Sequence, residues 1–340
     1  MKKVSVALFG LGHVNQGLLR ILSGKKDAIR VNYGLDFEIN AVADSSGVAL
    51  MPEGYDYDQL LQLKANRGRV RQLEGYLPGV PHHELPLHTT AQLLVESSPV
   101  NLETGEPGLS VARHALTRGW TVVFANKAPL VFAFDELHAL ASANKCRIAF
   151  SATVCGGLPV INVLRRDMKA VALKSFSGIL NATTNHILRA LETGGTIEDA
   201  VKEAQRVGAA EADPMYDVLG HDAANKLYII MKSAGAFSGN IRDIETTGIQ
   251  HVTAERLIDS RKRGKTLKLI ASALPVGNSW KLSVKPAEVE ADSFLGQCEG
   301  WEMGVQFESD LYESISMKIV EEDPLATSAA VLRDAIDVMS

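Results

Sequence analysis

The run VSVALF (4–9) passes directly into Gly10-Leu11-Gly12-His13-Val14-Asn15-Gln16-Gly17, and apolar residues then recur at helical spacing through Ile21. A short buried strand, a glycine turn and a helix in immediate succession form the context of a dinucleotide fingerprint. Gly10 permits the tight turn. Gly12 lets the main chain approach a pyrophosphate seated on the N–H groups of the helix N-terminus. The third fingerprint position, where Gly or Ala is expected, holds Asn15. A larger side chain therefore stands where helix and strand pack closely. Taken alone, the turn leaves two readings open, a cofactor site and a purely structural turn.

The next strand-like run, EINAVA (38–43), ends at Asp44. An acid there can accept hydrogen bonds from an adenosine ribose and repel a 2′-phosphate. It falls later than the usual spacing of roughly 20 residues, a delay assigned to a long connection over 24–37. A turn-forming aspartate before Ser45-Ser46-Gly47 is the other reading. Those serines, and Lys64, also suit a phosphate, so NAD and NADP both stay open.

Two further strands follow, Leu93–Glu96 (LLVE) and Thr121–Phe124 (TVVF), with helical spacing between them over 109–116. Such alternation predicts a doubly wound parallel sheet. Ligands of these sheets bind beyond the carboxyl ends of the strands. Ser97 and Ser98 follow one such end. Lys127 follows another, in Ala125-Asn126-Lys127, where it can reach substrate or cofactor unless it is simply solvated.

Beyond this, a helix is expected over 134–143 and a strand over 147–154, leading to Cys155-Gly156-Gly157-Leu158-Pro159. Consecutive glycines open dihedrals closed to other residues and allow a ligand or ion close to the main chain. A strand over 171–180, helices over 183–191 and 197–207, and strands over 268–274, 280–284, 305–307 and 314–320 suggest a second sheet. A helix over 324–338 closes the chain.

The densest acidic segment is AEADPMYDVLGHDAANKL (210–227), with Glu211, Asp213, Asp217 and Asp222 against one lysine, Lys226. Asp222 and Lys226, four apart on a helix, share a face. They form either an exposed ion pair of small worth or part of a pocket for a cationic ligand.

The formal net charge of −5 and the scattered Lys and Arg residues argue against a nucleic-acid partner. No apolar stretch reaches the roughly 20 residues of a membrane-spanning helix, and the start has no signal-peptide pattern. Cys146, Cys155 and Cys298 have no paired spacing, so a reducing, cytoplasmic location is expected. His82, His83, Glu84 and His88 sit among prolines and read as a loop rather than a zinc site.

Taken in order, SPVNLETGEPGLS (98–110), ANKAPL (125–130), GGLPV (156–160), SGILNATTNHIL (177–188), the acidic segment and PLATSAAVLRD (324–334) closely resemble homoserine dehydrogenases. The resemblance covers the whole chain and implies an α/β fold. A Rossmann-like doubly wound parallel sheet would span 1–135 and be completed by a C-terminal segment of about 310–340. An α/β substrate-binding and dimerisation domain would span 136–309. The implied reaction is reversible hydride transfer between L-aspartate 4-semialdehyde and L-homoserine, with NAD or NADP, on the route to threonine, methionine and isoleucine. A homodimer is implied.

By the same resemblance, Lys226 is the catalytic lysine and Lys127 a second lysine that holds substrate and stabilises charge on oxygen. Glu211 is the ammonium partner, Asp217 and Asp222 bind or orient, and Thr183 contacts substrate. Gly10, Gly12, His13, Val14, Asn15, Asp44, Ser97 and Ser98 are the cofactor set. Carboxylates around Lys226 favour its charged form, and burial opposes it.

Some positions depart from the pattern. Ser151 stands where the resemblance implies a glutamate that helps ring a monovalent cation, Na+ or K+, with the carbonyls of Val154, Gly156 and Leu158. A neutral serine weakens that expectation. Cys155, Ala182 and Asn15 replace glycines, and Ala209 replaces a tyrosine. The chain reads as a short form, so feedback through a C-terminal ligand-sensing domain is not expected. Two rivals remain: a semialdehyde dehydrogenase using a Cys155 thiolate with His186 as base, and a nucleotide sensor without catalysis.

Overall fold

The computed structural model describes residues 1–206 and 215–340. It divides into two compact units, residues 1–157 with 324–340, and residues 158–323.

In the first unit, strand β1 (Lys2–Phe9) leads through the glycine turn into helix α1 (His13–Tyr33), then β2 (Leu35–Asp44) and β3 (Gly47–Tyr55). Helix α2 (Tyr57–Ala65), the short β4 (Tyr76–Leu77) and α3 (Leu85–His88) follow. Then come β5 (Leu93–Glu96), α4 (Gly108–Thr117), β6 (Thr121–Phe124), α5 (Ala128–Ala143) and the two-residue β7 (Ile148–Ala149). The strands form one sheet in the order β4-β3-β2-β1-β5-β6-β7. From β2 to β7 the neighbours are parallel, while β3 and β4 form an antiparallel edge. β5 and β6 are buried along their whole length, as strands covered on both faces must be.

The long gap before Asp44 is helix, not loop. α1 runs unbroken through Gly24, buries Ile29 late in its course and stops at Gly34, which adopts φ +67 and returns its N–H to the Arg30 carbonyl. That is a left-handed C-cap, which glycine adopts without a Cβ clash. The run expected as a strand over 147–154 pairs only at Ile148–Ala149 and then turns into a 3-10 helix, Ser151–Thr153.

The second unit begins with the short α6 (Val160–Asn162), followed by β8 (Leu173–Ile179), α7 (Ala182–Glu192), α8 (Ile197–Arg206), α9 (Met215–Val218) and α10 (His221–Ser233). Next are β9 (Glu245–Thr246), α11 (Ala254–Lys262), β10 (Lys265–Val276), β11 (Ser279–Glu290), β12 (Glu302–Ser309) and β13 (Ser314–Val320). Its sheet has the order β13-β12-β8-β10-β11-β9 and is antiparallel except where β9 joins β11.

The last helix, α12 (Leu325–Met339), packs in the first unit against α1. Ser328 Oγ donates to the Val14 carbonyl at 2.9 Å. The units part later than positions 135 and 310, for two reasons. β7 adds to the edge of the parallel sheet, and β13 pairs along its length with β12 of the second sheet.

Candidate active site

At the glycine turn, Gly10 has φ +86, and a Cβ there would lie 2.6 Å from the Ser97 carbonyl oxygen. Only glycine fits. Gly12 is the N-cap of α1 and is exposed, with nothing within 4 Å of where a Cβ would stand. The first N–H groups of α1, beginning with exposed His13 and half-buried Val14, thus open onto clear space, the setting an anionic phosphate requires.

Asn15 is fully buried, and its amide nitrogen donates to the Gly10 carbonyl at 2.6 Å, bracing the turn from within. The close helix contact expected at this position lies two residues on. A Cβ on Gly17 would stand 2.2 Å from Ser328 Oγ of α12. Asn15 is therefore no defect, because the tight packing is against the last helix. Its Oδ1 and the Ser97 hydroxyl are buried without a hydrogen-bond partner among the described residues. Buried polar atoms left bare at the mouth of an open helix N-terminus fit a bound dinucleotide.

Asp44 stands beside this turn, since Gly10 N donates to the Ala43 carbonyl at 2.8 Å. Its Oδ1 accepts from Ser46 N at 2.8 Å and Ser46 Oγ at 2.5 Å, and its Oδ2 accepts from Val70 N at 3.2 Å. Asp44 thus makes the turn and also holds a fixed negative charge at the end of β2. The turn-forming reading is the one these hydrogen bonds show.

Beyond β5 and β6 lies a buried polar knot. Glu96 Oε1 accepts from Ser98 N at 3.0 Å, from the Ser98 hydroxyl and, at 3.5 Å, from Asn126 Nδ2. Burial pushes the Glu96 carboxyl up to about 7, against the pull of the Ser98 and Asn126 hydrogen bonds. Half-buried Lys127 follows Asn126 directly, at the N-cap of α5.

In the second unit, Gly220 at φ +81 begins α10, and Asp222 lies in its first turn, where the helix favours a carboxylate. Lys226 Nζ reaches back to Asp222 Oδ2 at 2.7 Å and to the Leu180 carbonyl at 2.8 Å. The side chains are only 15% and 9% exposed, so this is a buried pair and not a surface one. Asn181, N-cap of α7, accepts from Thr184 N through Oδ1. Its Nδ2 donates to Asp217 Oδ1 at 2.8 Å and Asp222 Oδ2 at 2.7 Å. One amide therefore gathers α7, α9 and α10. Thr183 is buried in the first turn of α7. Sequence reasoning singled out the two aspartates and the lysine but not Asn181. An Asn placed before a helical run is an N-cap signal that could have found it. Glu211, Ala209 and Asp213 lie outside the described residues.

The side chains about Ser151 are engaged with one another. Ser151 is buried, and its N and Oγ donate to the two oxygens of Asp334 at 2.7 and 2.6 Å. Arg333 donates to Ser151 Oγ at 2.9 Å and to the Gly157 carbonyl at 3.2 Å. Ser151, at the position where a carboxylate ligand was implied, thus meets both the Asp334 carboxylate and the Arg333 guanidinium. The Leu158 carbonyl already accepts from Val160 N at 2.8 Å. No cluster of three His, Cys, Asp or Glu able to hold a metal occurs among the described residues. Cys155 is wholly buried at φ +52, and the His186 ring stacks on Trp301 at 4.1 Å.

A family model described as homoserine dehydrogenase matches residues 159–336. A homoserine dehydrogenase of Methanocaldococcus jannaschii is 32% identical over 336 residues, covering 98% of each chain. An NAD(+)-dependent homoserine dehydrogenase of Pseudomonas canavaninivorans is 30% identical, covering 99% of this chain and 97% of its own. Among solved structures, a putative homoserine dehydrogenase of Archaeoglobus fulgidus superposes with a TM-score of 0.88 at 32% identity, covering 98% of this chain and 99% of its own.

Proposed function

The chain belongs to the homoserine dehydrogenase family, NAD(P)-dependent oxidoreductases acting on a CH–OH group, and from that premise we propose the roles of its residues. The reaction is reversible hydride transfer between L-homoserine and L-aspartate 4-semialdehyde. Membership removes the Cys155 thioester chemistry and the non-catalytic sensor. In this reading Lys226 Nζ donates a proton to the aldehyde oxygen in reduction and removes the hydroxyl proton in oxidation. The observation that carries it is the buried Asp222–Lys226 pair anchored on the Leu180 carbonyl. Such anchoring fixes one donor in place before substrate arrives.

Asp217 and Asp222 supply negative charge for an α-ammonium, with Glu211 as its direct partner by resemblance. Thr183 contacts substrate, and Lys127 stabilises charge on the reacting oxygen. Gly10, Gly12, His13, Val14, Asn15, Ser97, Ser98 and Asp44 hold the dinucleotide. The bound nicotinamide supplies the hydride acceptor or donor. No step is assigned to a monovalent cation.

We also read the chain as a cytoplasmic homodimer. The dimer is carried by the family resemblance. Among the described residues no helix is long and apolar enough to cross a membrane.

The deciding experiment follows L-homoserine oxidation by the purified protein through NADH or NADPH absorbance. Turnover that needs both homoserine and cofactor supports the reading. Folded protein inert with either cofactor would overturn it.

A further inference from the structure

Glu96 is a carboxyl with no exposed surface, at the carboxyl end of a central strand. Burying such a group without full pairing is costly, and packing alone would favour an apolar residue. Its hydrogen bonds show what it holds. Through Oε1 it takes up Ser98 N and Oγ, and Asn126 Nδ2. Its main-chain carbonyl accepts from Ala125 N at 2.8 Å and Asn126 N at 3.4 Å. Asn126 completes the knot, with Nδ2 donating to Ser98 Oγ at 3.2 Å and Oδ1 accepting from Ala128 N at 2.9 Å. Lys127 is thereby bracketed by two residues whose positions trace back to Glu96.

The knot is closely confined. A Cβ on Gly108, the first residue of α4, would lie 2.9 Å from Asn126 Nδ2 and 3.0 Å from Glu96 Oε1. Glu96 Oε2 has no partner among the described residues. The hydrogen-bonded hub at Oε1, and not the second oxygen, is what the residue contributes.

We propose that Glu96 is a positioning residue for the hydride-transfer reaction, setting the turn that carries Lys127 by holding Asn126 against Ser98. This rests on the reading of Lys127 as the lysine that acts on substrate. A glutamine keeps Oε1 as acceptor at nearly the same volume, so it preserves the hub. Alanine removes it.

The test measures kcat and KM for L-homoserine in Glu96→Ala, Glu96→Gln, Lys127→Ala and the double Glu96→Ala/Lys127→Ala enzyme, with folding checked by circular dichroism. Glu96→Ala is expected to lower kcat roughly ten- to hundredfold, the scale of a misplaced catalytic group, with Glu96→Gln close to native. A residue acting only through Lys127 adds nothing once Lys127 is gone, so the double variant should be no slower than Lys127→Ala. Native kcat in Glu96→Ala beside a slow Lys127→Ala overturns the proposal alone. So does a double variant in which the two losses multiply. Native kcat in Lys127→Ala removes the reading of Lys127 and the proposal with it. Should Glu96→Ala not fold, Asn126→Ala tests the same link, and native kcat there overturns the proposal.

Discussion

Lys226 Nζ lies 2.7 Å from Asp222 Oδ2, one helical turn away, with both side chains almost out of solvent. At the surface such a pair contributes a few tenths of a kcal/mol. Buried, its partners depend on each other, and removing one leaves an uncompensated charge, a loss of about 3–5 kcal/mol. Asp222→Ala should therefore lower the melting temperature as well as the rate. Lys226→Ala removes the proposed proton donor, and its kcat should fall by about 10²–10⁴. Lys226→Arg keeps the charge but releases a proton only above the working range, so it should be nearly as slow. Homoserine oxidation and a thermal melt on each variant check both halves. A fast Lys226→Arg enzyme would move the proton transfer elsewhere.

Asn181 binds both Asp217 and Asp222 through one amide nitrogen while its oxygen caps α7. Loss of the cap costs about 1 kcal/mol. Loss of the bridge leaves two neighbouring carboxylates to repel each other. Asn181→Ala should raise KM for homoserine more than it lowers kcat if, as proposed, the acids serve the substrate's ammonium. Asn181→Asp, which adds a third negative charge, should be worse than alanine in both stability and KM. Steady-state kinetics on the two variants separates the cap from the bridge.

These relationships differ in how far the residues alone expose them. β5 and β6 are short, wholly apolar apart from their ends, and both were legible with their observed bounds. β3 was not, because Pro52 and Gly54 make its second half read as a turn. The strand expected over 147–154 shrank to two residues, since Ser151 turns away to meet Asp334 of the last helix, a contact 183 residues distant. Four-residue spacing revealed that Asp222 and Lys226 share a face, but that spacing is the same for exposed and buried pairs. Asn181 lies 36 and 41 residues from the aspartates it joins, beyond the reach of any local pattern. Glu96 looked like the polar end of a strand, and only the packing of Gly108 and Asn126 shows it to be enclosed.

Asp44 is locked beside the glycine turn by Ser46 and Val70, and it cannot swing aside for a 2′-phosphate. Two like charges at this range cost on the order of 1–2 kcal/mol near a protein surface, so kcat/KM for NAD+ should exceed that for NADP+ by roughly tenfold or more. Asp44→Asn keeps an acceptor for Ser46 and removes the charge. It should narrow the ratio chiefly by improving NADP+. Equal use of both cofactors by the native enzyme would show that the charge is not read.

Glu96 carries a pH signature of its own. Its folded pKa, about 7, stands above the ordinary 4.5, so between these values the folded chain holds a proton that the unfolded chain releases. Its contribution is complete below pH 4.5 and is lost as pH rises through 7, a swing on the order of 3 kcal/mol. Glutamine does not titrate. The melting temperature of Glu96→Gln relative to native should therefore be higher at pH 8 than at pH 5. Comparing the two pH values cancels any constant cost of the substitution. A difference that stays flat, or reverses, would mean that Glu96 is ionised throughout.

Arg333 and Ser151 predict how the enzyme responds to salt. A monovalent cation is held by oxygen donors and is helped by a carboxylate. Here the 151 side chain is neutral and bound to Asp334, and Arg333 places a permanent positive charge on Ser151 and the Gly157 carbonyl. The Ser151 hydroxyl, donating to Asp334 and accepting from Arg333, is already engaged on both sides and makes a poor further ligand for a cation. Turnover should accordingly stay within about twofold when Na+ or K+ is replaced by choline at constant ionic strength, a control that holds general screening fixed. Arg333→Met removes the two donors and should slow the enzyme and lower its melting temperature. Arg333→Lys, with one charged donor in place of a planar fork, should fall between. A native enzyme that is inactive in choline and restored by Na+ or K+ would show that a cation is bound despite these contacts.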